Sequence, residues 1–166
     1  MDVWRRVSNE EALIEAIAEG SEVQLTENIT ASELLISSDK EVNIDLNGQT
    51  LTVTATKGTA VKADDNGTVT IEGGTIKTEK CAVMGVFDDT QLVVKDCEIV
   101  GKYGFGMNGS TTKEKSSALF ENCVIRTTSA YNAAYISAPG TYRFVNCTLE
   151  GGAGIQICSG DVTLEG

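Results

Sequence analysis

LFENCVI, residues 119–125, decides the fold, because the chain keeps returning to it. VVKDCEI (93–99) and RFVNCTL (143–149) repeat it closely; TIEGGTI (70–76) and DLNGQTL (45–51) repeat it more loosely. Outward from this stretch the apolar residues alternate: Val23 and Leu25; Val42, Ile44 and Leu46; Val69 and Ile71; Leu92 and Val94; Ala118 and Phe120; Tyr142 and Phe144; Val162 and Leu164. A period of two marks short strands with one face inward. The last inward residues of these runs fall at 25, 46, 71, 94, 120, 144 and 164, at intervals of 20 to 26 residues. Self-similarity at such a period is the signature of a solenoid.

With those positions as reference, other columns line up. Two residues on stand Gly48, Gly73, Asp96, Asn122, Asn146 and Gly166. These residue types tolerate a left-handed backbone, so the column reads as a sharp bend between two strands. Five residues on come Leu51, Ile76, Ile99, Ile125 and Leu149, the first inward residues of a second strand. The earliest coil fits poorly, with Glu27 at the bend position. A third column, rich in small residues, runs through Leu35-Ile36, Ala60-Val61, Ala82 to Met84, Gly104 to Met107, Ala134 to Ile136 and Gly154 to Ile157. Polar turns separate the columns, and Gly109 to Ser117 is the longest of them.

Three short strands per coil with one tight corner describe a parallel β-helix. The expected architecture is all-β, a single-stranded parallel solenoid of about six coils, roughly 30 Å long at the ~4.8 Å interstrand spacing. VSNEEALIEAIAEG (7–20) is the one helical stretch: Leu13, Ile14, Ile17 and Ala18 recur on one face. Ser8 with Glu11 reads as a capping box, and Gly20 as the stop. Residues 1–22 are thus expected to cap the solenoid and residues 23–166 to form it, as one domain. The final coil stops at VTLEG with no capping segment. That predicts a continuation past Gly166 or a homo-oligomer through this end, because open solenoid ends pair with other chains.

The cap SNEEALIEAIAEG leading into SEVQLTENIT, the coil VNIDLNGQTLTV, and the pairs Asn122-Cys123 and Asn146-Cys147 resemble the right-handed parallel β-helix proteins of the pectate-lyase-like superfamily. The resemblance covers nearly the whole chain and implies right-handed coiling, which spacing alone does not give. It also implies a secreted or cell-surface protein. It is weak on function, since the superfamily holds lyases, glycosidases, phage tail spikes and adhesins.

Composition narrows the chemistry. Asp and Glu outnumber Lys and Arg by 24 to 13. That net negative charge argues against nucleic acid and anionic membrane surfaces as partners, and suits a divalent cation or a neutral glycan. There is no histidine, which removes the commonest general base and metal ligand. No apolar run reaches ~18 residues, so membrane insertion is not expected. Met1 leads directly into polar sequence, with no signal-peptide pattern.

The cysteines number five and form no C-x-x-C pair, which argues against zinc. Cys97, Cys123 and Cys147 each follow the bend and would stack in successive coils as buried thiols, with Cys81 and Cys158 apart from them. Asp96, Asn122 and Asn146 form the neighbouring ladder, able to hydrogen-bond along the axis. Both ladders read as structural.

The sequence names no catalytic residue and no required cofactor. The candidates for ligand binding are two acidic turns and two rings. Asp64-Asp65 and Asp88-Asp89 occupy similar turns of adjacent coils and could hold Ca²⁺, which takes oxygen ligands, or act as an acid–base pair on a glycoside. Lys77, Lys102 and Arg126 are the basic residues such a lyase-type site could draw on. Tyr103 and Tyr131 open the third strand in adjacent coils and could stack on sugar faces. The reading that results is a non-catalytic structural or glycan-binding module. A carbohydrate-active enzyme, or a fragment of one, and a phage or fibre component are the alternatives.

Overall fold

A computed structural model describes residues 3–37, 39–55, 59–64, 66–78, 82–86, 89–107, 116–128 and 130–166. It is a parallel β-solenoid with a single helix among the described residues, and every strand pairing is parallel. Its strands stack in three columns. The first contains Arg5–Val7, Glu22–Leu25, Glu41–Asp45, Thr68–Glu72, Gln91–Lys95 and Ser117–Glu121. The second contains Ile29–Ala31, Thr50–Val53, Thr75–Lys77, Glu98–Gly101, Val124–Thr127 and Thr148–Glu150. The third contains Leu34–Ser37, Thr59–Asp64, Ala82–Val86 and Tyr103–Met107. Six strands in the second column make five steps, so the solenoid winds about five turns.

The core is the sum of the inward positions. Ile44, Ile71, Val94, Phe120 and Phe144 lie in register and are fully or almost fully buried, as are Leu51, Ile76, Ile99 and Ile125 in the second column. Phe120 and Phe144 stack with ring centroids 5.0 Å apart, and Phe105 meets Phe120 edge-on at 5.1 Å. Each coil alone could not hide these side chains; the neighbour above and below does it.

Two features of the strands differ from the sequence reading. The first is the reference register of the early coils. Ile44, not Leu46, pairs with Ile71, whereas Val23 pairs with Ile44 and so keeps Leu25 in step with Leu46 as expected. The strand ends at Asp45, but Leu46 still turns inward and is buried. Asn47 and Gly48 then both take positive φ, 52° and 74°, and the Gln49 N–H closes the turn on the Leu46 carbonyl at 2.8 Å. The corner of this coil is therefore two residues longer than that of the next. Gly74 absorbs the difference: a Cβ there would lie 2.5 Å from Leu46 Cβ.

The second concerns the last two coils. There the third and first columns fuse into single bent strands, Ala134–Val145 and Ile155–Glu165. Tyr142 fills the bend, its hydroxyl donating to the Ala138 and Pro139 carbonyls at 3.2 and 3.0 Å. Gly160 has φ +88°, and a Cβ there would press within 2.7 Å of the Tyr142 ring. Burial pushes the Tyr142 phenol up to about 12.

The helix spans Glu10–Ala18, and its N-cap is Asn9 rather than Ser8: Asn9 Oδ1 accepts from the Ala12 N–H at 2.9 Å. The glutamate that reaches a backbone N–H is Glu10, not Glu11, and the N–H belongs to the first coil. Its carboxylate accepts from Ser32 N–H and Ser32 Oγ–H, both at 2.8 Å, which lowers its pKa. At the other end Gly20, φ +68°, donates to the Ile17 carbonyl while Ser21 donates to that of Ala16, a Schellman stop. Leu13, Ala16 and Ile17 are buried, and the helix contacts the strands of the first coil. Arg5 pairs with Glu15 at 3.2 Å and also with Glu19, fastening the helix to the outermost strand.

Candidate functional site

Each coil has three corners, and the singled-out residues distribute over all of them. At the corner from first to second column, Asp96, Asn122 and Asn146 adopt positive φ of 51°, 54° and 51°, as the bend column requires. Asn122 Nδ2 donates to Asp96 Oδ1 at 3.2 Å, and Asn146 Nδ2 to Asn122 Oδ1 at 3.5 Å. The thiols beside them repeat one pattern. Cys97 Sγ lies 3.1 Å from the Lys95 carbonyl and 3.9 Å from that of Ile71. Cys123 pairs with Glu121 and Val94, and Cys147 with Val145 and Phe120, at 3.3 to 3.5 Å. Each thiol thus serves one carbonyl of its own coil and one of the coil before.

Cys97, Cys123, Cys147 and Cys158 are all free. Burial raises Cys97 to about 11. Cys123 and Cys147 titrate as a coupled pair: their mutual interaction and burial raise Cys123, and the same interaction lowers Cys147. Cys81 lies outside the described residues.

At the corner from third to first column stand Asp64 and Asp89. Asp64 is buried at the end of its strand and pairs with Lys62 Nζ at 2.9 Å. Asp89 takes φ +59°, and its N–H donates to Ser116 Oγ at 3.1 Å. Asp65 and Asp88 lie outside the described residues, as does most of the long loop before Ser116.

The corner from second to third column carries the rings. Tyr103 and Tyr131 lie with centroids 4.9 Å apart and planes tilted by 45°. Lys102 Nζ sits 4.5 Å from the Tyr131 centroid and 5.9 Å from that of Tyr103. Tyr131 is 43% exposed, whereas Tyr103 is half-buried. The same corner, across these coils and the two before them, forms a groove of about 420 Å³ lined by Val53, Ala55, Lys77, Val100 and four threonines, Thr52, Thr54, Thr78 and Thr128. Tyr103 and Tyr131 follow Val100 and Thr128 by three residues each, and Thr127 Oγ1 donates to the Tyr131 carbonyl at 3.2 Å.

The acidic residues and the tyrosines therefore occupy different corners and form no common cleft among the described residues. Of the three basic residues named from the sequence, Arg126 is held between Glu98 and Glu150, the latter at 2.7 Å, Lys102 covers a ring, and Lys77 lines the groove. The groove itself was missed in the sequence. Its signal was there in Thr54, Thr78 and Thr128, which recur where the second-column strands end.

The fold and these corners define a parallel β-solenoid with one regular and two irregular edges. Comparison with protein families, with curated proteins and with solved structures finds no match for the chain.

Proposed function

We propose that this chain is a non-catalytic binding module that presents the corner around Tyr103, Tyr131 and the adjoining groove to a glycan. The observation that carries the reading is the pairing of an exposed and a half-buried ring beside a mainly apolar groove edged by threonines. Sugar rings offer apolar C–H faces to aromatic side chains and hydroxyls to polar ones, and Thr52 and Thr128 supply the second kind of partner. Lys102, already over Tyr131, is placed to donate to a bound hydroxyl. The pectate-lyase-like resemblance of the sequence, and the secreted or surface location it implies, agree with this role.

Affinity electrophoresis of the chain through gels cast with neutral and acidic polysaccharides tests it. Retardation by at least one polysaccharide, lost in Tyr103→Ala and Tyr131→Ala, is the expected result. Unretarded migration in every gel, or retardation that survives both substitutions, removes the proposal.

A second reading has its own observation. In the last coil Ile157 and Leu164 are 52% and 60% exposed, although they lie in register with buried Ile136 and Phe144. That face would accept a further coil of strand, and a second copy of the chain can supply one, as in an end-to-end fibre component. Light scattering of the chain beside Leu164→Lys distinguishes it: a dimer that the substitution dissolves supports self-association, and a monomer in both rejects it.

A further inference from the structure

Cys123 and Cys147 stand one above the other. Val124 pairs with Thr148, and the Thr148 N–H donates to the Cys123 carbonyl at 2.9 Å, so the two cysteines lie in register on adjacent coils. Their side chains are also placed alike. Each sulfur lies 3.3 Å from the carbonyl two residues back, that of Glu121 or Val145, and 3.3 to 3.5 Å from a carbonyl of the coil before. Side chains placed alike on in-register strands are separated by about the coil spacing, ~4.8 Å. The interaction between these two side chains is, accordingly, the largest influence on the titration of both. We propose that this pair binds a soft monovalent cation, Cu⁺, held in linear coordination between two thiolates. The site is distinct from the tyrosine corner and does not depend on glycan binding.

The spacing selects this chemistry. A metal–thiolate bond is ~2.3 Å long, so a linear S–metal–S bridge spans ~4.6 Å and fits between the sulfurs with little movement. A disulfide needs the sulfurs ~2.05 Å apart and a Cβ–S–S–Cβ angle of about 90°, which parallel, stacked side chains do not offer. Structural zinc is four-coordinate, and no group of three or more Cys, His, Asp or Glu gathers among the described residues. Thiolates are soft ligands, suited to Cu⁺ and not to hard cations such as Ca²⁺.

Access selects the pair within the ladder. Cys97 and Cys123 are 3% and 1% exposed, and Cys97 Sγ is shifted, 3.1 Å from one carbonyl and 3.9 Å from the other. Cys147 is half-buried and directly precedes Thr148–Glu150, the outermost strand of the second column. A cation reaches the pair from that side. On binding, two S–H bonds break and two S–Cu bonds form; both protons pass to solvent, and the copper stays Cu⁺. A thiol is a weak hydrogen-bond donor, so the carbonyls beside the sulfurs give up little.

The test is anaerobic competition of the whole, fully reduced 166-residue chain for Cu⁺ against the coloured chelator bathocuproine disulfonate. The variants are Cys147→Ser, Cys123→Ser and, as control, Cys158→Ser, an exposed thiol on the last coil. The chain is expected to withhold one Cu⁺ from the chelator, with two sulfur neighbours by X-ray absorption at the copper edge. Affinity should fall at least about 100-fold in Cys147→Ser and in Cys123→Ser, since even a group that only orients a metal ligand is worth about 10–100-fold. It should stay unchanged in Cys158→Ser. No Cu⁺ withheld from the chelator overturns the proposal. So does affinity that survives Cys147→Ser, an equal loss in Cys158→Ser, or a shell of three sulfurs. If Cys123→Ser fails to fold, Cys147→Ser, at the half-buried position, decides alone.

Discussion

The corner from first to second column and the corner from second to third column are built on opposite principles. From Ile71 onward the first spends five residues between inward positions in every coil: Ile71 to Ile76, Val94 to Ile99, Phe120 to Ile125 and Phe144 to Leu149. One positive-φ residue makes the bend and, from Cys97 on, one thiol satisfies the carbonyls it frees. The second has no fixed length and, among the described residues, no repeated bend residue, and there the groove and the tyrosine pair are found. Regularity marks the part of a solenoid that must stack, and irregularity marks the part free to take a ligand.

The sharpest way to break this contrast is at the stacked edge. Phe120→Ala removes a fully buried ring that touches both Phe105 and Phe144, and should cost about 3–5 kcal/mol in urea unfolding. A loss below about 1 kcal/mol would mean that the column is not a continuous core. Asn122→Val comes next, with a loss of about 2 kcal/mol, because a β-branched residue must hold φ 54° and the amide ladder is interrupted. Asn122→Gly should recover most of it, and equal losses in the two variants would show that the ladder, not the backbone, matters.

At the irregular corner the order reverses. Tyr103→Ala should cost less than about 1.5 kcal/mol of stability, the worth of one aromatic pair and a distant cation contact, while abolishing glycan retention. A large loss of stability there would move the tyrosines to the structural side of the comparison.

The smallest effect is in pH. Cys97 is raised from 9.0 to about 11, so the unfolded chain releases this proton first. Its contribution to stability is therefore complete below pH 9.0 and is lost as pH climbs toward about 11. Denaturation midpoints should fall across that window, and fall less in Cys97→Ala.

Much of this was legible in advance because each coil repeats the same chemistry. Alternation gave the strands, and Asp96, Asn122 and Asn146 gave the bends, since few residue types adopt positive φ without strain. Val42, Ile44 and Leu46 show where such reading fails. Alternation runs on through Leu46, yet the strand stops at Asp45, because an inward side chain in a turn looks the same in sequence as one in a strand. The fused strands around Pro139-Gly140 and Ser159-Gly160 were hidden for the opposite reason: turn residues there bend a strand without ending it. The tyrosines were visible as a pair, but Lys102 over Tyr131 was not, because a lysine beside a tyrosine in sequence says nothing about the ring one coil away.

The Leu46–Gly74 contact has a consequence for how such a chain can change. One coil is two residues longer than the next at this corner, and a single glycine in the next coil takes up the bulk, so that Leu51 and Ile76 still meet. Length is therefore a local variable in this architecture. A segment grafted into one coil needs a small residue above it, not a redesign of the rod, and the looser corners should accept foreign peptides more readily still.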